Sequence, residues 1–93
     1  MTVQHNEKYK RFELLNEEGK NIGEIEYTRS GTGEIYATHT GVDPAYEGQG
    51  LAAKLLDALA AWAEEEEAKI VPICPYVIHA FKKYPEKYAA VIR

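Results

Sequence analysis

Two closely spaced glycines precede an apolar repeat and are the first residues that suggest chemistry. Gly48 and Gly50 lie one residue apart, and the repeat begins at Leu51. Glycine lets a ligand approach the backbone closely, and the first N–H groups of a helix bind phosphates. The amides of Leu51 and Ala52 are therefore candidate donors to a phosphate. The pair alone is a weak signal, since it matches neither the GxGxxG pattern nor a Walker loop, and a left-handed turn that caps a helix explains it equally well.

One cysteine and one histidine have side chains suited to group transfer. Cys74 follows the apolar run IVPI, and its thiolate would be a nucleophile, although a buried cysteine more often acts as a small hydrophobic residue. His39 lies in an apolar stretch, on the predicted face of Ile35 and Ala37, and is either a structural histidine or a general base. A single cysteine excludes an intramolecular disulfide and a cysteine-based zinc site, and we predict no metal.

The first elements that must position these residues are strands. Apolar stretches predict strands at residues 11–15, 22–27 and 34–42. Short turns that contain glycine join them, so an antiparallel meander is the simplest arrangement. Asp43-Pro44 ends the third strand, because proline cannot continue a ladder and restricts the residue before it.

The rest of the chain predicts a strand–helix–strand unit and a second helix. A helix of about 17 residues begins near Gly50. A fourth strand is predicted at 68–74, parallel to the third, and Pro72 inside it indicates an edge, a bulge or a ladder that opens. A shorter helix follows over 76–84, and a last turn over 86–92 covers the core. The apolar positions of the first helix recur at helical spacing, at Leu51, Leu55, Leu59 and Trp62.

Length and composition limit the function classes. The chain has 93 residues, 45% hydrophobic and 28% charged, so we expect one globular domain over residues 1–93. The net charge of −4 disfavours a nucleic-acid partner, because phosphate binding requires a basic face. No apolar run approaches the roughly 20 residues that span a bilayer, and the N-terminus lacks the apolar core of a signal peptide. We therefore expect no membrane partner and a cytoplasmic location.

Three segments resemble a known superfamily. VDPAYEGQGLAAKLL at 42–56 resembles the acetyl-CoA signature of the GNAT acetyltransferases. HTGV at 39–42 and VPICPYV at 71–77 resemble a compact, single-domain branch of that superfamily, and the resemblance covers roughly residues 10–88. It implies an α+β, GNAT-like fold in which an antiparallel meander leads into a strand–helix–strand unit with a splayed parallel strand pair, followed by a C-terminal helix.

The resemblance also implies a site. Cys74 would face the thioester end of acetyl-CoA, His39 is a candidate base, and Tyr84 in AFKKY resembles a tyrosine that protonates the departing CoA thiolate. Glu47 replaces the usual arginine or glutamine of the signature, and Gly41 stands where the compact branch often has an acidic residue. The implied acetyl-CoA-binding residues are Thr40, Gly41, Val42, Glu47, Gly48, Gln49, Gly50, Leu51, Ala52 and Tyr76.

Three functions remain open from the sequence. The first is an acetyl-CoA-dependent N-acetyltransferase that acts on an unidentified amine, either a small molecule or a protein lysine or N-terminus. The second is a non-enzymatic acyl-CoA or CoA-binding domain on the same fold, which Glu47 and Gly41 favour. The third is an interaction domain without a ligand, in which the glycines are structural.

Overall fold

A five-stranded sheet carries two helices in the computed structural model, which describes all residues from 1 to 93. The strands lie side by side in the order of the sequence, the first four antiparallel and the fifth parallel to the fourth. The predicted meander, strand–helix–strand unit and second helix are thereby confirmed. The elements are β1 (Thr2–Asn6), β2 (Arg11–Leu15), β3 (Asn21–Arg29), β4 (Ile35–Val42), a short 3-10 helix (Pro44–Tyr46), α1 (Leu51–Glu65), β5 (Ile70–Pro72) and α2 (Pro75–Lys83).

The N-terminal strand β1 was not predicted, so the meander has four strands rather than three. Its sequence, TVQHN, contains only one aliphatic side chain beyond the threonine methyl, and β1 is an edge strand. The register sets His5 opposite Phe12, and the two rings stack at a centroid distance of 4.1 Å. The Nε2 atom of His5 is also hydrogen-bonded to the hydroxyl of Tyr27 at 2.6 Å. Such contacts with distant residues stabilise a strand that its own composition does not indicate.

Helix α1 covers one face of the sheet with a continuous apolar stripe. It contains 15 residues, so it is roughly 22 Å long and slightly shorter than predicted. Burying the leucines against the strands provides the main hydrophobic stabilisation of this small domain. The buried residues of the helix are Leu51, Leu55, Leu56, Leu59 and Ala63.

Helix α2 lies on the same side of the sheet as α1. Its buried residues Val77 and Phe81 belong to the single core cluster that includes the leucines of α1. The opposite side of the sheet carries no helix, and we call it the open face. Its polar side chains come from β2, β3 and β4, and they include Glu13, Glu24, Glu26 and His39.

A bulge in β4 changes which side chains reach the open face. Tyr27 lies opposite Ala37, whereas Glu26 lies opposite His39, so Thr38 is an extra residue on β4. Because strand side chains alternate, one extra residue reverses the face of every residue that follows. His39 therefore lies on the open face and not on the face of Ile35 and Ala37, and the predicted face was wrong.

Strands β4 and β5 separate after three residue pairs. The ladder ends at Ala37 and Pro72, and the amides of Ile73 and Cys74 both donate to the Ala37 carbonyl, at 3.0 and 2.9 Å. Strand β5 is therefore shorter than the predicted 68–74, and Pro72 is its last residue. Residues 38–42 consequently have no strand partner on this edge. We call this gap the splay, and its presence confirms the predicted splayed pair.

The C-terminal segment, residues 86–92, packs against α1 and along the outer edge of β5, as predicted for a last turn that covers the core. Tyr88 and Val91 are buried, and the Ile70 amide donates to the Val91 carbonyl at 2.7 Å. The Tyr88 hydroxyl donates to Oδ1 of Asp57 on α1 at 2.8 Å. Neither helix is long and apolar enough to cross a membrane.

Candidate functional site

The glycine turn between β4 and α1 has a backbone that favours glycine at two positions. The φ angles of Gly48 and Gly50 are +82° and +70°, in the left-handed region that side chains with a Cβ rarely adopt. A Cβ at either position would meet no atom within 4 Å, so the space above the turn is open. Gly50 caps α1 without a side-chain hydrogen bond, and the first N–H groups of the helix are left for solvent or a ligand. The left-handed backbone by itself favours glycine at both positions, and the open space leaves room for a phosphate.

A cleft of about 210 Å³ lies directly beside this turn. It is bounded by the end of β4, the glycine turn, the start of α1 and the first turn of α2. Most of the predicted acetyl-CoA-binding residues line it, whereas Thr40, Gly41 and Gln49 do not. The lining residues are Val42, Tyr46, Glu47, Gly48, Gly50, Leu51, Ala52, Ala53 and Tyr76.

Tyr46 and Ala53 were not predicted as site residues. Tyr46 follows Pro44 in the short 3-10 helix, and its hydroxyl accepts a hydrogen bond from the side-chain amide of Asn16 at 3.2 Å. The aromatic position after the proline in the signature was the signal for Tyr46. Ala53 is the second of two alanines in the first turn of α1, and its small side chain leaves space for the cleft beside the helix.

The unpaired edge of β4 offers backbone groups to the splay. The Asp43 amide donates to the Ile22 carbonyl on β3 at 2.8 Å. Because the N–H and C=O groups of successive strand residues point to opposite edges, those of Thr40 and Val42 face the splay. A ligand with amide groups that runs through the splay could donate hydrogen bonds to these carbonyls and accept hydrogen bonds from these N–H groups.

Cys74 lies at the other side of the splay, immediately before α2. The residue is 6% exposed, and its Sγ atom is 3.5 Å from Oγ1 of Thr40. Burial raises the pKa of the Cys74 thiol, but the Thr40 hydroxyl and the backbone amides of Val77, Tyr76 and Thr40 lower it by more. The net pKa is lower than that of an ordinary cysteine, and the thiolate is correspondingly favoured.

The imidazole of His39 and the sulfur of Cys74 lie on opposite faces of β4. Thr40, which contacts the Cys74 sulfur, lies opposite Ile25 on the core side, so its neighbour His39 points to the open face. The His39 side chain is 56% exposed, and its Nε2 atom is 3.6 Å from Oε2 of Glu24. A group in the splay would therefore have the thiol on one side and the imidazole on the other.

Tyr84 lies far from these residues along α2. It caps the C-terminus of that nine-residue helix, while Cys74 caps the N-terminus, so the two residues are about 15 Å apart along the helix axis. The Tyr84 side chain is 48% exposed. The structure does not bring Tyr84 together with Cys74, and its role as an acid stays a prediction.

Gly41 lies opposite Glu24 in the sheet, and Glu24 was not predicted as a site residue. Gly41 lines a second cleft, of about 430 Å³, between β3 and the end of β4. Val42 lines both clefts, so they adjoin at the end of β4. Glu24 also lines the second cleft. No local sequence signal pairs Glu24 with His39, because only the register between β3 and β4 brings them together.

A family model and a similar solved structure indicate the same protein family for this chain. The model of the GCN5-related N-acetyl-transferase family matches residues 11–91. No curated protein sequence matches this chain. The NMR structure of a GCN5-like protein from Staphylococcus aureus is 30% identical, with a TM-score of 0.78 over 99% of this chain and 87% of its own.

Two crystal structures of longer proteins share the fold. A ribosomal-protein-alanine N-acetyltransferase from Brucella melitensis biovar Abortus 2308 is 24% identical, with a TM-score of 0.61 over 83% of this chain and 58% of its own. An acetyltransferase from Trypanosoma brucei is 17% identical, with a TM-score of 0.58 over 87% of this chain and 63% of its own. Since the family model spans nearly the whole chain and the sheet shows the splay that the resemblance implies, the chain belongs to the GCN5-related N-acetyltransferase family and is an acetyltransferase.

Proposed function

We propose that this protein transfers the acetyl group of acetyl-CoA to an amine. The observation that carries the proposal is the continuity of three features. The open helix N-terminus at Gly50, the cleft lined by Val42 and Tyr76, and the unpaired edge of β4 lead in turn to Cys74. This sequence of features suits a long ligand with a pyrophosphate at one end, amides in the middle and a thioester at the other end.

The cleft and the splay supply matching chemistry for each part of acetyl-CoA. The amides of Leu51 and Ala52 at the start of α1 would bind the pyrophosphate, because the N-terminus of a helix carries partial positive charge. The backbone groups of Thr40 and Val42 would bond the pantetheine amides. Glu47 is exposed at the rim, and its carboxylate would have to turn away from the phosphates, leaving its backbone available.

Transfer requires a deprotonated amine and a thioester whose carbonyl is open to attack. The amine nitrogen forms a bond to the carbonyl carbon, the C–S bond breaks, the CoA thiolate leaves, and the proton of the amine passes to a base. His39 is the proposed base, because it borders the splay on the face that the helices leave open. Cys74 lines the thioester end.

A covalent route through Cys74 is the second candidate, and the lowered pKa of its thiol favours it. In that route the Cys74 thiolate attacks the thioester, the CoA thiolate leaves, and an acetyl-cysteine remains. The amine then attacks the acetyl-cysteine, restoring the Cys74 thiolate and giving its proton to the base. Because a free thiol is required, the proposal includes a reducing compartment such as the cytoplasm.

Thermal unfolding with acetyl-CoA, CoA and desulfo-CoA tests the proposal. Binding should raise the melting temperature in proportion to the logarithm of ligand over dissociation constant. The same preparation is then incubated with acetyl-CoA and a panel of amines, and released CoA is measured. A thermal shift without CoA release would support the non-enzymatic acyl-CoA-binding alternative, and no shift at high ligand excess would contradict both.

A further inference from the structure

Glu24 and His39 form a pair on the open face, with Gly41 beside both side chains. Glu24 lies opposite Gly41 in the register of β3 and β4. A Cβ built on Gly41 would lie 2.9 Å from Oε2 of Glu24 and 3.1 Å from Nε2 of His39. Gly41 therefore leaves a space into which the carboxylate and the imidazole converge, and their nearest atoms are 3.6 Å apart.

We propose that Glu24 is a positioning residue for His39, and that Gly41 keeps the space in which the pair forms. This inference rests on the proposed function, because it concerns how the proposed base is held. The ring nitrogen that faces Glu24 is Nε2, so the carboxylate favours the tautomer with hydrogen on Nε2. Nδ1 is then free to accept the proton of the amine. Without Glu24, a side chain that is more than half exposed would sample several rotamers.

The other charges of the open face do not perform this role. Glu13 is 6% exposed and accepts hydrogen bonds from Arg11, Gln4 and Asn6, the closest at 2.6 Å from Nε of Arg11. Glu26 lies directly opposite His39 in the register, yet it is the carboxylate of Glu24 that lies within 4 Å of the His39 ring. Glu26 is thus a matched control, since it has the same residue type, strand and face.

The location of the pair relative to the two clefts supports the inference. Glu24 and Gly41 line the cleft on the open face, which adjoins the cleft beside the glycine turn at Val42. An amine that approached the splay from the open face would pass the imidazole, while the thioester would lie on the helix side.

A double-mutant cycle tests the inference. Glu24→Val removes every acceptor while keeping a residue suited to a strand. We expect kcat to fall about tenfold or more with KM for acetyl-CoA unchanged, since displacing a catalytic group by about 1 Å can cost roughly 100-fold in rate. Glu26→Val should leave kcat within about twofold. If Glu24 acts through His39, then Glu24→Val should have no further effect in a His39→Ala background, which by itself should cost roughly 10²–10⁴ in rate.

The opposite results would overturn the inference. If Glu24→Val slows the His39→Ala variant by the same factor as the wild type, Glu24 acts independently, as a base itself or by attracting the amine. An NMR readout separates this inference from the proposed function: contacts between the His39 ring protons and the Gly41 α protons should be lost in Glu24→Val and kept in Glu26→Val. Absence of any transfer activity would contradict the proposed function, whereas unchanged ring contacts in Glu24→Val would contradict the positioning role.

Discussion

At the scale of the residue, Cys74 combines burial with several groups that favour its ionised form. The sulfur lies between the hydroxyl of Thr40 on β4 and the first amides of α2. Those groups belong to two elements that are far apart in the sequence, and they meet only at the splay. The same atoms would surround the acetyl group of a bound thioester, which ties the ionisation of Cys74 to its proposed place at the reaction centre.

Replacing Cys74 by alanine should show whether this side chain only lines the thioester site or forms a covalent intermediate. Cys74→Ala should still bind CoA, because the proposed affinity comes from the pyrophosphate and pantetheine contacts. If Cys74 only lines the site, the rate should fall by less than about tenfold, or ~1.4 kcal/mol. Mass spectrometry of wild-type protein after brief exposure to acetyl-CoA decides the alternative, since an acetyl group on Cys74 would establish the covalent route. Loss of CoA binding in the variant would contradict this division of roles.

The ionisation of Cys74 predicts a pH dependence of its reactivity. Because the pKa of the thiol is lowered, the rate of iodoacetamide alkylation should reach half its maximum at a lower pH than for free cysteine. Thr40→Val removes a hydroxyl that favours the thiolate, so its profile should move to higher pH. Thr38→Val is the control, because the Thr38 hydroxyl donates to the Glu26 carbonyl and not to the sulfur. Identical profiles for wild type and Thr40→Val would refute the role assigned to Thr40.

At the scale of the element, α1 and its glycine turn form the proposed phosphate site. The helix begins without a side-chain cap, and the turn keeps its left-handed glycines free of neighbours. This leaves the positive end of the helix dipole open to the cleft. Strand β4 contributes the other half, because its ladder with β5 ends before its own last residues. The proposed site therefore depends on where α1 begins and on where the ladder between β4 and β5 ends.

A substitution at Gly50 tests the turn. Gly50→Val should abolish acetyl-CoA binding in a protein that still folds, because the branched side chain fills the place proposed for the pyrophosphate. It should also cost roughly 1–2 kcal/mol, since φ at this residue is +70°. Gly33→Val is the matched control, with a φ of +92° and no atom within 4 Å of its Cβ, in the turn between β3 and β4. Isothermal titration with acetyl-CoA should show lost binding only in Gly50→Val. If Gly50→Val and Gly33→Val bind acetyl-CoA with equal affinity, the turn is not part of the site.

At the scale of the whole molecule, the C-terminal segment completes a small core. Tyr88 is 4% exposed and packs on Phe81 at a ring distance of 5.2 Å, while Ile92 bridges to Ile70 of β5. This segment connects α2, α1 and the sheet edge beyond β5. The open face has no corresponding cover, so the molecule has one buried and one exposed side of its sheet.

The Tyr88–Asp57 hydrogen bond should contribute measurably to stability. Tyr88→Phe removes it, leaving a carboxylate that water can still reach, so we expect a loss of about 1 kcal/mol and a melting temperature lower by about 4–8 °C. Burial and the hydrogen bond to Asp57 raise the pKa of Tyr88 above its usual 10.0. The wild-type advantage should therefore persist below pH 10 and fall as pH rises further toward the raised pKa. Equal stability of the two proteins at neutral pH would contradict the contribution of this bond.

Most of the elements and the glycine turn could be predicted from the sequence, because their causes are local. Helical spacing of leucines predicted α1, alternating residues and short turns predicted three strands of the meander, and Pro72 indicated an edge, a bulge or an opened ladder, of which the last is found. The glycine turn followed from its composition and from the resemblance of residues 42–56. Each of these features depends on dihedral preferences or on side-chain periodicity within a few neighbouring residues.

Which side chains meet could not be predicted in this way, because it depends on how distant strands and helices pack. The bulge at Thr38 put His39 on the open face, although period-two alternation predicted the other face. The contact between Cys74 and Thr40 joins residues 34 positions apart, and Glu24 reaches His39 only because β3 and β4 pair in one register. Strand register, bulges and the packing of β1 depend on contacts summed over the whole sheet, so no short segment of sequence contains them.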